Sequence, residues 1–153
     1  MFSKFSFIFS SLVLGITGIA ISSNASGIPA DTCLSVSEFH EYCPLSNCGK
    51  AMQCEGQSVR ITGKIDYSNV FDHTHYPQLP YEKFFLADDK QTVEVLVATL
   101  DNKAVFKKIF DAQELNQTAF VKGTIVGIDM PTMNACRRGL RLELKNTEDI
   151  LFK

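Results

Sequence analysis

The chain has no tryptophan, three histidines and no surplus of positive charge: fifteen Lys and Arg face seventeen Asp and Glu, a formal net charge of −2. A whole-chain cationic field for a phosphate backbone is therefore missing, which argues against a strongly basic nucleic-acid binder. Nine Gly and five Pro in 153 residues exclude a collagen-like or low-complexity chain. No nucleophile elbow, phosphate loop or HExxH zinc motif occurs, and no cysteine has an evident base partner. What remains is 45% hydrophobic residues in a length that can bury one core.

No acidic residue precedes Asp31. Lys4 supplies a positive start, an apolar stretch runs from Phe5 to Ile21, and Ser23-Asn24-Ala25 places small residues before a cut. Residues 1–25 thus read as a secretory signal, cleaved between Ala25 and Ser26. The Ser- and Gly-broken stretch is short for an uncleaved span of about 20 apolar residues. Asp31 and Thr32 before Cys33 speak against a lipid-attachment cysteine. A periplasmic or secreted location, with no stable membrane insertion after signal removal, is the expectation. Loss of Lys4 would take the net charge to −3.

All five cysteines, Cys33, Cys43, Cys48, Cys54 and Cys136, lie beyond that cut, where an oxidising compartment preserves disulfides. Four fall within a cysteine-rich segment at 26–55, and their spacing lacks the Cys-x-x-Cys pairs of a zinc ribbon or redox site. Two bridges and one odd thiol follow from the count. Spacing leaves the connectivity open, including a tie from Cys136 back to the N-terminal cluster.

From Gly56 the pattern turns to period two. Val59, Ile61, Ile65 and Tyr67 alternate with polar residues in a first strand, Lys83 to Ala87 is a second, and Val93, Val95 and Val97 mark a third. Asp101 can cap a helix that puts Val105, Phe106, Ile109 and Phe110 on one face and Lys103, Lys107 and Lys108 in water. Ala119 to Ile128 is a fourth strand, and Leu140, Leu142 and Leu144 alternate in a fifth, before a short tail from Glu148 to Lys153. Residues 35–42 suit a helical turn. Ile61-Thr62-Gly63-Lys64-Ile65 and Val121-Lys122-Gly123-Thr124-Ile125 repeat one apolar-x-Gly-x-apolar unit, in which glycine lets a strand bend sharply.

Five short strands, one helix between the third and fourth, and bending glycines in strands one and four meet the needs of a small closed barrel. Residues 56–153 resemble the OB-fold superfamily, and within it the small exported OB domains and the tRNA-anticodon-binding type. The resemblance implies an all-β, five-stranded Greek-key barrel with one helix, behind the disulfide-rich segment. A Greek-key sandwich would need more strands. It also implies a ligand seat across strands two and three, framed by the loop between strands one and two and the loop between four and five.

Those loops hold the candidate ligand-binding residues. The first, 68–80, carries Asp72, His73, His75 and Tyr76 and leads into Tyr81 and Lys83; the second, 129–138, carries Arg137 and Arg138. Paired arginines suit a phosphate or carboxylate, with a tyrosine ring stacking on a base or sugar. His73 and His75, with Asp72 as a third donor, are metal candidates because His-x-His on an extended segment puts both rings on one face. A staphylococcal-type nuclease would need clustered carboxylates, for which Asp66 and Asp72 supply the charge type without that family's spacing. Haem attachment of the kind found in exported OB haem chaperones is not carried over, since no His or Tyr follows Leu144. The expectation is a binding or interaction module without catalysis or a cofactor. It would serve a small anionic ligand, an oligomer or a protein partner, with single-stranded nucleic acid or a metal-dependent nuclease as the alternative.

Overall fold

A computed structural model describes residues 32–153; the signal segment and its cut after Ala25 lie outside the described residues. In chain order the elements are β1 (Cys33–Ser35), α1 (Val36–Tyr42), β2 (Ser46–Asn47), β3 (Ser58–Ile65), β4 (Glu82–Ala87), β5 (Thr92–Val97), α2 (Asn102–Glu114), β6 (Ala119–Pro131), β7 (Cys136–Leu144) and β8 (Ile150–Phe152). Five of the strands close a ring. β3 pairs antiparallel with β4, β4 with β5, β7 with β6, and β6 with β3, while β5 joins β7 in parallel. With α2 between the third and fourth ring strands, this is the five-stranded barrel that the sequence pattern implies.

The period-two apolar positions fill the interior. Ile61, Phe84, Leu86, Val95, Val121, Leu142 and Leu144 are fully buried, and α2 adds Val105, Phe106 and Ile109. Asp101 caps α2 by accepting the Ala104 N–H at 3.1 Å. Gly63 and Gly123 sit where backbones approach closely. A Cβ on Gly123 would lie 2.6 Å from Leu142 Cγ and 2.8 Å from the Glu143 carbonyl oxygen, and one on Gly63 would lie 2.9 Å from the Ala87 oxygen.

The structure corrects the sequence reading in several places. The expected helical turn at 35–42 is a second true helix, α1, closed by a reciprocal cap: Ser35 Oγ accepts the Glu38 N–H at 3.2 Å, and Glu38 accepts the Ser35 N–H at 2.7 Å. Tyr67 leaves the first strand for a single 3₁₀ turn, because the Asp66 carboxylate caps the Ser68 N–H. Phe110 is 37% exposed rather than core, and Lys108 Nζ donates to the Thr147 carbonyl instead of facing only water. The expected tail contains β8, which pairs with β6 and buries Ile150. The expected loop at 129–138 shrinks to a turn at 132–135, because β6 and β7 stay paired out to Pro131 and Cys136.

Two disulfides join Cys43 to Cys54 and Cys48 to Cys136, leaving Cys33 as an exposed thiol. The first bridge closes within the N-terminal segment. The second fastens that segment to the first residue of β7, beside the short β2–β7 pairing.

Candidate functional site

The outer face of β4, β5 and β7 carries the densest grouping of rings and charges. Strand alternation sends Phe84, Leu86, Val95 and Leu142 inward and leaves Lys83, Phe85, Glu94 and Arg141 outside. Register then sets Phe85 opposite Glu94 and Glu94 opposite Arg141. The β3–β4 loop folds back over this face through a two-way backbone pair, Phe71 N–H to Lys83 O at 2.8 Å and Lys83 N–H to Phe71 O at 2.9 Å.

Lys83 Nζ consequently lies 5.6 Å from the Phe71 ring centroid, 5.5 Å from Tyr81 and 5.3 Å from Phe85. Arg141 Cζ lies 5.5 Å from the Tyr81 ring centroid. Glu94 ties the two cations together, at 2.7 Å to Lys83 Nζ and 3.0 Å to Arg141 Nη2. These three side chains keep only 15–20% of their exposure, so their charges are screened far less than free surface charges. Two cations sharing one carboxylate leave a unit of positive charge on an aromatic floor. Such a floor can stack a ring and hold an anionic group beside it.

The loop candidates are placed as follows. Tyr76 packs on Phe71, with ring centroids 5.3 Å apart, and is 39% exposed at the platform's edge, while Tyr81 is 37% exposed above Arg141. His73 and His75 anchor the loop. The Asp72 carboxylate accepts the His75 N–H at 2.8 Å and meets the His75 ring Nδ1 at 2.8 Å. Glu82 accepts the His73 N–H at 2.7 Å and an Asn102 side-chain N–H, while the His73 ring Nε2 meets the Leu79 carbonyl at 3.0 Å. Asp72 and Glu82 are the buried charged residues among those described. Burial raises the Asp72 carboxyl, but hydrogen bonds from His75 outweigh it and leave the group below its ordinary range. Asp72 thus faces one histidine and Glu82 the other, and among the described residues no three His, Cys, Asp or Glu side chains converge on one point. A cleft of about 500 Å³ separates this anchored loop from the start of α2, lined by His73, Glu82, Thr99 and Asn102.

Arg137 and Arg138 part company, because neighbouring residues of a strand point to opposite faces. Arg138 grips Glu55 through Nε at 2.5 Å and Nη2 at 2.7 Å, and Asp129 through Nη1 at 2.8 Å. The Arg138 hydrogen bonds, with one from the Met52 N–H, pull the Glu55 carboxyl down to about 2. Arg137 stays exposed, opposite Asn47. The structure therefore gathers Tyr76, Tyr81 and Lys83 at the platform, sets His73 and His75 at the loop's foot, and commits Arg138 to a clamp.

Sequence reasoning passed over Phe71, Phe85, Glu94 and Arg141. Three of the four are outward members of the period-two pattern, and that was their signal. Nothing local to Arg141 announces that it meets Glu94, because that contact depends on the parallel closure of β5 with β7.

No protein-family model and no curated protein matches the chain. Among solved structures, it is similar to an OBody, NL8, bound to hen egg-white lysozyme, at 17% identity over 63% of this chain and 93% of that one, TM-score 0.42. It is also similar to a chain assigned as an aspartyl-tRNA synthetase from Leishmania major Friedlin, at 16% identity and TM-score 0.45. That match covers 85% of this chain and spans 22% of the synthetase chain. At these scores the function of neither protein is carried over. The closed ring of five strands follows from this chain's own strand pairing.

Proposed function

We propose that the chain is an exported OB-type binding module, of the superfamily its strand order resembles, that seats a small ring-bearing anion on the platform of Phe71, Tyr81, Lys83, Phe85, Glu94 and Arg141. The observation that carries the reading is the pair of cations sharing one carboxylate, with three aromatic rings around Lys83. Two disulfides support export, and among the described residues no helix is long and apolar enough to cross a membrane. Asp66 caps its own turn and Asp72 faces His75, so neither carboxylate speaks for the nuclease alternative.

With no tryptophan, emission comes from the four tyrosines, so saturable quenching screens for a ligand and calorimetry measures its affinity independently of which tyrosine reports. Titrations with a nucleoside monophosphate, an aromatic carboxylate, a uronic-acid disaccharide and a short single-stranded oligonucleotide should give saturable quenching with at least one. Arg141→Ala and Tyr81→Ala should each weaken it about tenfold or more, the loss of one charge-assisted contact or one stacking face. Saturation by the oligonucleotide alone would select the single-strand reading instead. Absence of saturation with every probe, or binding indifferent to both substitutions, would overturn the platform.

A further inference from the structure

The dipeptide Arg137-Arg138 leaves one cation unaccounted for. While Arg138 is saturated by two carboxylates, Arg137 lines a depression of about 410 Å³ with Leu45, Ser46, Asn47 and Lys50, where β2 meets β7. No Asp or Glu lines it, and among the described residues neither Arg137 nor Lys50 forms an ion pair.

The depression is held in shape before any ligand arrives. Asn47 is paired with Arg137 across the two strands, and the Cys48–Cys136 disulfide locks the next residue of β2's turn to the residue before Arg137. Gly49 takes a positive φ of 73° to make the turn. The Lys50 backbone is pinned at both ends, its N–H donating to the Asn47 carbonyl at 3.2 Å and its carbonyl accepting the Ser46 hydroxyl at 2.8 Å. Two cations on a covalently braced rim, with the Asn47 side chain also lining the depression, suit a tetrahedral oxyanion: a guanidinium fork, a point charge and a side-chain amide. Bracing lowers the ordering cost of binding. The exposed Leu45 supplies an apolar wall for whatever carries the anion.

We propose that this depression is a second ligand site, an oxyanion pocket for a phosphate or sulfate group, held by Arg137 and Lys50. It lies on the same outer face of β7 as Arg141, four residues or about 13 Å along the strand, and is separate from the platform.

Inorganic phosphate and sulfate, titrated into the ¹⁵N-labelled chain, should produce saturable shifts at the amides of Asn47, Gly49, Lys50 and Arg137. A midpoint on the order of 1 mM suits two charge-assisted contacts. Arg137→Ala and Lys50→Ala should each weaken saturation about tenfold, without moving the melting temperature. Arg141→Ala should leave the shifts intact, which separates this site from the platform. To distinguish sources, vesicles of phosphatidylglycerol are compared with vesicles of phosphatidylcholine, and a sulfated disaccharide is titrated in parallel. Arg137-dependent cosedimentation with the anionic vesicles marks a lipid headgroup; saturation by the disaccharide without cosedimentation marks a soluble ester. Shifts spread over the whole surface, shifts that survive in the Arg137→Ala, Lys50→Ala double variant, or no saturation by either ion would overturn the pocket.

Discussion

Arg138 reaches across 83 residues of sequence to hold Glu55 with two nitrogens, at 2.5 and 2.7 Å. The pair binds the end of the cysteine-rich segment to the hairpin of β6 and β7, and Asp129 completes the neutralisation at 2.8 Å. An arginine in that position is occupied by the protein itself. Arg138→Ala should therefore lower the melting temperature by about 5 °C, because it strands two carboxylates, while leaving platform binding unchanged. Arg137→Ala should leave the melting temperature within experimental error. Thermal unfolding of the two single variants separates these fates, and equal melting temperatures would contradict the clamp.

The same clamp gives the chain an acid limb. Glu55 is drawn down to about 2 by Arg138, and Asp88 is held well below the ordinary carboxylate range by hydrogen bonds from Ser37, Lys90 and Gln91. A carboxylate depressed in the folded state contributes stability that is complete above its unfolded range and is lost as pH falls through the folded value. Urea unfolding should thus be steady from pH 7 to about 5 and weaken progressively from about 4.5 to 2. Glu55→Gln should be less stable at neutral pH and show a shallower acid loss; a parallel curve would dissociate the carboxylate from the effect.

Gly123 and Gly63 test the closure of the barrel. A Cβ at Gly123 meets Leu142 Cγ at 2.6 Å and a backbone oxygen at 2.8 Å, so neither neighbour can yield cheaply. Gly123→Val should cost about 2–3 kcal/mol, the range of overpacked cores. Gly63→Val meets the Ala87 oxygen at 2.9 Å and Val36 Cγ2 at 3.1 Å and should cost somewhat less. In a flat sheet a β-branched residue would be favoured over glycine. Chemical denaturation that finds both substitutions neutral or stabilising would count against these close approaches.

Cys33 should be the thiol that alkylates in native protein, with Cys43, Cys48, Cys54 and Cys136 protected until reduction. Burial pushes the Cys33 thiol above its ordinary range, against the opposing pull of Arg60. Labelling should therefore be slow at neutral pH and speed up through the alkaline range, since the thiolate is the nucleophile. Mass analysis after alkylation at several pH values checks both statements. More than one label per native chain would break the disulfide assignment.

The elements legible in the sequence were those with a repeating local signal. Val93, Val95 and Val97 alternate through β5, Asp101 caps α2, and two glycine-centred units announce the curved β3 and β6. The elements missed had too few residues to show a period: β8 has three, and its identity depends on Thr118 and Lys153 exchanging backbone hydrogen bonds across 35 residues. At the candidate site, residues on the β3–β4 loop were legible because loop composition is unusual there. Glu94 and Arg141 were not, since 47 residues separate them and only closure of the ring makes them neighbours. Arg137 and Arg138 look identical in sequence. Which of them faces an acid is a matter of strand register, which no local pattern records.

The Cys48–Cys136 bridge also has a mechanical meaning. Its cysteines are 88 positions apart in sequence, and the stretch between them contains β3, β4, β5, α2 and β6. A load applied to the two ends of the chain would pass through the sulfur link and bypass that stretch. Fully drawn out, the bypassed stretch would contribute about 300 Å of contour, and it stays in reserve for as long as the bond holds. While the bridge is intact, extension is confined to the segments before residue 48 and after residue 136. Pulling from the C-terminal side would therefore peel β7, and Arg141 with it, away from Glu94, while Phe71, Tyr81, Lys83, Phe85 and Glu94 stay inside the closed circuit.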